Sequence, residues 1–484
     1  MRGETDMSEI LNEREAGLAK AREMYGAEAE QALRDHLAII DERLYLWMAD
    51  LYQPRKCICN NFDADGNRVC LLPRDENGKC LCTGGGYFIT NSARDTEGFE
   101  IDIESTVQAL NFCQTVGLLR GYDNDYKRAF PKQMQLDVCA FAKSLQDSED
   151  GYFYHPQWGK NISISRQGRD LTWATSILKS FGDMPLYDAK NGAKGSLGAP
   201  SGVCADNNKE EKSNETWTLQ FRTLDAFKEY LTTFDLETKS YSTGNTFNAQ
   251  MGQISARDKQ AIADGEAHDE NGDGIAEDGF IAAFEKHFNE RQKPENGTWE
   301  APLHYNATNG LMKIAMVYNG LGIKLNYAVA AFKSAIEMAL LPVDVADCKG
   351  KMTTGSVDVY NPWVAMSCIM SNVKKFGTED ELNTLKAILQ ENVVALIRAS
   401  TEKAKKFKKP DGSFGYRWDV SGSTSQGALV CPGGVIEGDI NGGSIATRGI
   451  FTNMIAALGL DIPMFLPEDF EKYIARIKER CNYK

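Results

Sequence analysis

The chain has 484 residues, of which 42% are hydrophobic and 25% are charged, a composition that excludes wholesale disorder. Its 68 acidic and 54 basic residues give a net charge of −14, and no dense Lys/Arg stripe is present, so we expect no nucleic-acid partner. The most apolar stretch, residues 328–343, is interrupted by two charged residues, so we expect no membrane span and no membrane partner. The N-terminus lacks the apolar core of a signal peptide, which favours a cytoplasmic location.

The first 90 residues divide into three segments of different character. Residues 1–26 are charged and predict a loosely attached helical extension, and the single large catalytic domain that we expect runs from residue 27 to residue 484. Residues 55–90 contain Asp-Gly and Asn-Gly turn signals between short apolar runs, which predicts a β-hairpin insertion. Five cysteines cluster there, and a strand pair, a zinc site and a disulfide all remain open because C-x-C is not the usual zinc spacing: Cys57, Cys59, Cys70, Cys80 and Cys82.

A repeating unit follows, in which a loop leads into a helix that is apolar nearly all round and then into an amphipathic helix. A helix that is apolar on every side must be buried on every side, so the alternation predicts an inner ring of helices within an outer ring. We therefore expect an all-α fold, an (α/α)6–7 toroid, interrupted by a long loop at 186–215 and an acidic loop at 264–279. The apolar segments are 103–119, 171–181, 307–321, 359–376 and 444–458, and the amphipathic ones are 127–145, 216–234, 326–341, 379–404 and 467–481.

Three Gly-aromatic turns carry a resemblance to a known superfamily. They are Gln146-Asp-Ser-Glu-Asp-Gly151-Tyr-Phe, Gln292-Lys-Pro-Glu-Asn-Gly297-Thr-Trp299 and the shorter Asp411-Gly-Ser-Phe414-Gly-Tyr416. These turns resemble those of the α/α-toroid superfamily, which includes terpene cyclases, protein prenyltransferases and several polysaccharide lyases and glycoside hydrolases. The resemblance implies a scaffold and not a particular reaction.

A second stretch resembles the acid motif of class II terpene cyclases. It reads Asp102-Ile-Glu104-Ser-Thr106, whereas that motif has two adjacent Asp residues before the Thr. The missing carboxylate removes the group that would strengthen its neighbour as an acid. The alternative interpretation is a helix start, where acidic residues interact favourably with the positive end of the helix dipole.

In a toroid the loops that enter the inner helices meet at one end, and these loops are rich in aromatic and cationic residues. Aromatic faces stack on sugar rings, and Arg pairs with carboxylates, so the expected partner is an acidic oligo- or polysaccharide that contains uronic acids. The predicted substrate-binding residues are Tyr154, Trp158, Arg94, Arg166, Arg169, Asn306, Trp299 and Arg417.

Two reaction classes fit these loops. In β-elimination by a lyase, the carboxylate is neutralised by Arg or Asn while His or Tyr moves protons, and the predicted catalytic residues are His304, Tyr305, His155 and Tyr416. In glycoside hydrolysis two carboxylates act together, and the candidates are Glu300, Asp358, Glu437, Asp439 and Asp170. A terpene-cyclase-like enzyme and a non-enzymatic helical-repeat binding protein are the further alternatives.

The acidic loop resembles an EF-hand, with oxygen ligands at positions 1, 3 and 5 and Gly at position 6, but with Phe280 in place of the bidentate Glu at position 12. The catalytic hypotheses require no cofactor, and the loop is interpreted either as a structural calcium site or as a turn in solvent. The predicted ligands are Asp269, Asn271, Asp273, Ile275 and Glu277.

Overall fold

The computed structural model describes residues 7–54, 84–187, 217, 219–481 and 483. Within these ranges the chain is mostly helical, which confirms the predicted all-α class. The helices are α1 (Met7–Tyr25), α2 (Ala27–Leu37), α3 (Glu42–Asp50), α4 (Asn91–Asp95), α5 (Ile103–Thr115), α6 (Tyr126–Ala129), α7 (Lys132–Ser144), α8 (Ile164–Ser180), α9 (Leu224–Thr232), α10 (Leu236–Ala263), α11 (Phe280–Asn289), α12 (Tyr305–Leu321), α13 (Ala328–Leu340), α14 (Ser356–Phe376), α15 (Glu379–Phe407), α16 (Met454–Ala457) and α17 (Pro467–Cys481), together with the 3-10 helices Arg120–Tyr122 and Leu219–Phe221 and the π-helix Gly442–Asn453.

Two small antiparallel sheets complete the secondary structure of the described residues. Strand β1 (Tyr52–Gln53) pairs with β2 (Gly86–Tyr87), and β3 (Thr424–Ser425) pairs with β4 (Ala428–Leu429). The first sheet joins the two ends of the predicted hairpin insertion. Residues 55–83, with the cysteine cluster, and residues 188–216, which hold most of the predicted long loop, lie outside the described residues.

Six helices pack against one another in series. The order is α8, α5, the π-helix, α14, α12 and α10, so the π-helix near the end of the chain packs on α5 near its start. A second layer covers them, with α7 on α8, α13 on α12 and α14, and α15 on α14. Each of the ten predicted segments contains helix in the described residues, but three of them are divided: 127–145 into α6 and α7, the described part of 216–234 into a 3-10 helix and α9, and 444–458 into the π-helix and α16. The closed toroid remains a prediction.

Helix α10 is the inner helix that the apolar pattern did not predict. It runs for 28 residues from Leu236 to Ala263 and contains a kink at Lys239, where the backbone leaves helical angles. Its sequence is rich in Ser, Thr, Asn and Gln, so its buried face does not read as an apolar stripe. Helix α10 is buried because neighbouring helices cover it, and not because its own residues are hydrophobic.

Two of the three Gly-aromatic turns, those at Gln146 and Gln292, share one hydrogen-bonding pattern. The Gln146 side chain donates to the carbonyl of Gly151 at 2.8 Å, and the Gln292 side chain donates to the carbonyl of Gly297 at 2.8 Å. Gly151 and Gly297 have φ values of 73° and 66°, a left-handed region that favours glycine. Each Gln also reaches a carbonyl further along the chain, at Tyr187 and at Asn326, so the repeat seen in the sequence is a repeat of local structure.

The N-terminal helix α1 is attached more firmly than its charged sequence suggested. Leu18 and Ala21 are buried, and the Tyr25 hydroxyl donates to the carbonyl of Leu458 at 2.8 Å. The helix also packs on α2. The expectation of a loosely attached extension is therefore wrong for residues 13–25. None of the helices in the described ranges has the length and apolar character that crossing a bilayer requires.

Candidate functional site

A polar cavity of about 480 Å³ lies where the six serially packed helices face one another. Each of the six helices contributes side chains to its wall, and the segment from Tyr416 to Gln426 covers part of it. The lining residues are Ile89, Glu104, Gln108, Asn111, Thr115, Arg169, Trp173, Tyr241, Asn245, Met312, Lys313, Met316, Val357, Tyr360, Val364, Tyr416, Gly422, Thr424, Ser425, Gln426, Asp439, Asn441, Ser444, Arg448 and Asn453.

Helical spacing explains why these side chains meet. Arg169 and Trp173 are four residues apart on α8, and Tyr241 and Asn245 are four residues apart on α10. Residues at this spacing lie one above the other on the same helix face. The side chains that line the cavity therefore come from one face of each of these two helices.

Three cations from three different helices line the cavity. Arg169 lies on α8, Lys313 on α12 and Arg448 on the π-helix. Arg169 donates to Glu104 at 3.1 Å and lies 4.6 Å from the centre of the Trp173 ring. Among the residues that the structure describes, neither Lys313 nor Arg448 has an ion-pair partner. Burial, and then the neighbouring Arg169 and Arg448, lower the pKa of Lys313 to about 8.

Three tyrosines form a second group on the wall. Burial raises the pKa of Tyr241, Tyr360 and Tyr416. Tyr241 raises the pKa of Tyr360 further, and both raise that of Tyr416, because neighbouring phenolates repel each other. All three therefore carry their proton at neutral pH. Gly449 lets α14 and the π-helix approach closely at this point, since a Cβ on that residue would collide with the side chain of Tyr360.

Asp439 is a buried carboxylate on the cavity wall. Its two oxygens accept the backbone N–H groups of Tyr416 at 2.6 Å and Gly442 at 2.7 Å. Burial nevertheless raises its pKa to about 6, because these two hydrogen bonds do not fully compensate the loss of water. The side chain is therefore charged at neutral pH and becomes protonated under mildly acidic conditions.

Glu104, in contrast to Asp439, accepts its hydrogen bonds from side chains. Its Oε1 accepts from Arg169, and its Oε2 accepts from the Ser425 hydroxyl at 2.6 Å and from Arg166 at 3.3 Å. Ser425 lies in β3, so this contact ties the strand to α5 across the cavity wall. Glu104 therefore organises the wall and has no free oxygen for general acid or base work.

Arg166 lies fully buried behind this wall and holds three carboxylates. It contacts Asp102 at 3.2 Å, Glu104 at 3.3 Å and Asp170 at 2.9 Å. Asp102 also caps α5 through the backbone N–H of Ser105. Burial raises the pKa of Asp170 to about 7, despite the attraction of Arg166. Arg166 therefore stabilises the protein beneath the cavity and does not reach a ligand inside it.

His155, predicted to be catalytic, lies in the same buried layer. Its Nε2 is 2.8 Å from the carbonyl of Ile101, and its Nδ1 accepts the backbone N–H of Gln157 at 3.1 Å. Burial lowers the pKa of His155 to about 4, so the ring is neutral with the proton on Nε2. Because both nitrogens are engaged by the main chain, the proposed role in proton abstraction has no geometric support.

His304 and Tyr305, the other predicted catalytic pair, lie at the start of α12 and outside the cavity wall. His304 Nε2 lies 2.9 Å from the carboxylate of Glu300, which also accepts the Ser240 hydroxyl at 2.6 Å. Tyr305 is buried, and its backbone N–H donates to Asp347. These contacts join α10 to the loop before α12, so the two residues support the inner helices and do not face a ligand.

The remaining predicted binding residues divide between the wall and the structure around it. Only Arg169 of that group, together with the predicted catalytic Tyr416, lines the cavity. Tyr154 donates to Asp150 at 2.9 Å. Trp158 stacks on His155 with ring centres 4.4 Å apart. The roles predicted for Tyr154 and Trp158 in substrate binding are therefore replaced by roles in packing the 150–173 loop.

The other four predicted binding residues are also away from the cavity. Trp299 is fully buried and donates to the carbonyl of Phe288 at 2.8 Å. Arg94 pairs with Asp95 at 2.7 Å, and Arg417 pairs with Asp419 at 2.7 Å. Asn306 is exposed and lies 3.4 Å from the Lys351 ammonium. Sequence position near an inner helix was thus a poor guide to which side chains enter the cavity.

Of the five carboxylates considered for hydrolysis, Asp439 alone lines the cavity in the described residues. Glu300 is held by Ser240 and His304 as described above. Asp358 accepts from Asn309 at 2.7 Å and from Thr353 at 2.8 Å, and Glu437 accepts the backbone N–H of Ser92 at 3.0 Å. These side chains stabilise turns and helix starts.

The predicted calcium loop forms a compact turn stabilised by its own side chains. Asp269 accepts the backbone N–H groups of Gly272 at 2.8 Å and Gly274 at 2.9 Å, and Asp273 accepts that of Ile275 at 2.9 Å. Glu277 accepts the backbone N–H of Glu270 at 2.8 Å. Across the described part of the chain, no group of three or more His, Cys, Asp or Glu side chains is arranged to hold a metal ion. Calcium binding remains a prediction.

No protein-family model, no curated protein and no solved structure matches this chain. The chemistry of the site is therefore argued from its own residues.

Sequence reasoning missed Lys313, Tyr360 and Arg448, which all lie inside helices that were interpreted as apolar. A signal for them existed, because a Lys or an Arg within a helix buried on every side requires a polar space to face. Tyr241 was missed for a different reason, since α10 itself was not predicted.

Proposed function

We propose that the protein is a carbohydrate-active enzyme that binds a uronic-acid-containing saccharide in the central cavity and cleaves it by β-elimination. The observation that supports this most strongly is the wall itself, where three cations and three tyrosines face one space. We include in the proposal that the six inner helices close into an (α/α)6 toroid, because their packing order follows the chain and returns from the π-helix to α5.

The cations supply the first requirement of the reaction, which is neutralisation of the sugar carboxylate. The proton on the carbon next to a carboxylate is only weakly acidic, and an enolate-like intermediate forms only if its charge is stabilised. Arg448 has no carboxylate partner among the described residues, so it is available for a bidentate contact with the ligand. Arg169 lies on the same wall, and its guanidinium stacks over the ring of Trp173.

Tyr416 supplies the proton donor in this proposal. The leaving glycosidic oxygen must receive a proton as its bond to the sugar breaks. Burial and the neighbouring tyrosines raise the pKa of Tyr416, so its hydroxyl is protonated before the reaction. Trp173 offers an aromatic face on the same wall for a sugar ring.

Glycoside hydrolysis is the second candidate, and one observation favours it. Asp439 lines the cavity and its pKa is raised to about 6, a property expected of a general acid. The terpene-cyclase alternative is less favoured, because Glu104 forms ion pairs with Arg166 and Arg169, whereas the hydrogen-bond donors to Asp439 are main-chain N–H groups.

The test is to incubate the purified protein with a panel of uronic-acid polymers and with neutral polymers as controls. A lyase gives an unsaturated product that absorbs in the near ultraviolet, whereas a hydrolase gives products heavier by one water without that absorbance. No product and no binding of any uronide would overturn the proposal and leave a different ligand class for the cavity.

Arg448→Gln sharpens the test. It should lower kcat/KM about 10- to 150-fold, since a hydrogen bond to a charged group is worth about 1.5–3 kcal/mol. Arg398 is exposed and pairs with Glu28, so Arg398→Gln is a matched control that should retain activity.

In this proposal calcium binds at residues 269–280 and has only a structural role. Its test is the melting temperature with added calcium and with a chelator. A dependence on calcium that Asp269→Ala removes would support the site, and no dependence would withdraw it.

A further inference from the structure

We propose that Lys313 is the catalytic base that removes the proton from the carbon next to the substrate carboxylate. This inference rests on the proposed β-elimination and deepens it, because that reaction needs a proton acceptor and neither His155 nor His304 faces the cavity. The residue is on the wall, at the centre of α12, and shares the cavity with Arg169 of α8 and Arg448 of the π-helix.

The first argument is the way in which Lys313 is placed. A Cβ on Gly244 of α10 would lie 2.8 Å from the Cβ of Lys313, so the glycine lets the two helices close around the stem of the lysine. Met312 and Met316 of the same helix line the cavity beside Lys313. A flexible side chain is therefore confined by its surroundings and directed toward the space that a ligand would occupy.

The second argument is the missing counterion. Lysines that serve only to stabilise a fold normally meet a carboxylate or a set of carbonyls, as Lys403 does at the carbonyl of Met338. Lys313 has no ion-pair partner in the described part of the chain. The charged or titratable groups that act on it are Arg169, Arg448 and Cys368, from three other helices.

The third argument is the protonation state. With a pKa of about 8, roughly one Lys313 amine in ten is neutral at pH 7, whereas an ordinary lysine is almost wholly charged. An amine flanked by cations is a recurring way to obtain a reactive lysine. A carboxylate bound by Arg169 and Arg448 would lie beside this amine.

The step balances without a further reagent. The Lys313 amine takes the proton as the carbon–hydrogen bond breaks, and the released electron pair is held on the substrate carboxylate as an enolate. The pair then forms the double bond to the neighbouring carbon as the glycosidic carbon–oxygen bond on that carbon breaks, and the leaving oxygen receives the proton of Tyr416. Lys313 and Tyr416 return to their starting states by proton exchange with solvent.

The experiment compares Lys313→Arg with Lys313→Met. Arginine keeps the positive charge but does not lose its proton in proteins, so it can replace an anion-binding lysine but not a base. We expect both variants to lose kcat by about 10²- to 10⁴-fold, with KM nearly unchanged in Lys313→Arg. Lys333, exposed on α13, gives the matched controls Lys333→Arg and Lys333→Met, which should behave as the unaltered protein does.

Two results would overturn the assignment while leaving the lyase in place. The first is a Lys313→Arg enzyme that still forms the unsaturated product at the original rate, which would make Lys313 an electrostatic contact. The second comes from reductive methylation with ¹³C-formaldehyde followed by NMR titration, a readout that does not need activity. A signal that Lys313→Arg removes should titrate near pH 8, and one that titrates near 10.4 with the ordinary lysines would exclude a neutral amine.

Failure of the proposed function has a different signature. The unaltered protein would then form no unsaturated product from any uronide, and addition of glucuronate or galacturonate would not shift the Lys313 NMR signal. In that case the base assignment falls with the reaction on which it rests.

Discussion

The backbone N–H of Tyr416 donates to the carboxylate of Asp439 at 2.6 Å, and the carbonyl of Tyr416 accepts the N–H of Ser356 at 2.7 Å. The main chain of this tyrosine is therefore held on both sides, by the turn before the π-helix and by the first residue of α14. These two main-chain hydrogen bonds fix the backbone from which the phenol enters the cavity. The phenol hydroxyl takes part in neither of them.

Tyr416→Phe should therefore separate chemistry from structure. The substitution removes only the hydroxyl, so we expect kcat to fall by about 10²- to 10⁴-fold while KM and the melting temperature change little. The measurement is steady-state formation of the unsaturated product together with thermal unfolding. Tyr327 is exposed, and Tyr327→Phe is the matched control. Full activity of Tyr416→Phe would assign the proton donor to another residue.

The fold was readable from the sequence wherever burial and composition agree. The segments at 103–119, 307–321 and 359–376 are apolar nearly all round and are helices of the inner layer. Helix α10 was not readable, because it is buried with Ser, Thr, Asn and Gln on its surface. Its burial depends on α12, with which it packs, and no local pattern in α10 records that contact.

The site was less readable, for a geometric reason. The residues His155, Arg166 and His304 are conspicuous in the sequence, but they contact carboxylates or the main chain behind the wall. Which side chain enters the cavity depends on the rotation of each helix about its axis, and one residue of error turns a side chain by about 100°. Of the predicted site residues, Arg169 and Tyr416 line the cavity, whereas Lys313 and Arg448 line it without having been predicted.

His304→Ala tests the structural role that the geometry gives to this residue. Burial opposes the charge of Glu300, but hydrogen bonds from His304 and Ser240 lower its pKa, so removing the imidazole leaves a buried carboxylate with fewer partners. We expect a loss of about 1–3 kcal/mol in the free energy of unfolding, with kcat per folded molecule unchanged. Urea denaturation and active-site titration measure the two quantities.

His268 is exposed, and His268→Ala is the control for His304→Ala. A loss of kcat in His304→Ala without any loss of stability would return His304 to the catalytic machinery.

Arg166→Lys tests the buried cluster beneath the wall. One guanidinium reaches Asp102, Glu104 and Asp170, and an ammonium is a point charge that cannot span three carboxylates. We expect a loss of roughly 3–5 kcal/mol, the usual cost of leaving buried charges without their partner. The control is Arg398→Lys on the exposed face of α15. If Arg166→Lys unfolded at the same urea concentration as the unaltered protein, the cluster would contribute little to stability.

Asp439→Asn tests how the buried carboxylate responds to pH. Burial raises the folded-state pKa of Asp439 to about 6 from an ordinary value of 3.8, so its stabilising contribution is complete below pH 3.8 and is lost as the pH rises through 6. An asparagine does not titrate, although it also loses one of the two hydrogen bonds from the main chain. The stability of the unaltered protein relative to Asp439→Asn should therefore fall by about 2.4 kcal/mol between pH 4 and pH 7.

The relevant quantity is the difference between the two proteins at each pH, because the other carboxylates titrate in both and cancel. Asp225 is exposed at the start of α9, and Asp225→Asn should show a difference from the unaltered protein that is nearly independent of pH. A difference for Asp439→Asn that rises with pH would mean that the N–H groups of Tyr416 and Gly442 outweigh burial and hold the carboxylate charged. The charged Asp439 carboxylate would then position Tyr416 at every pH tested, and the hydrolase alternative would lose its general acid.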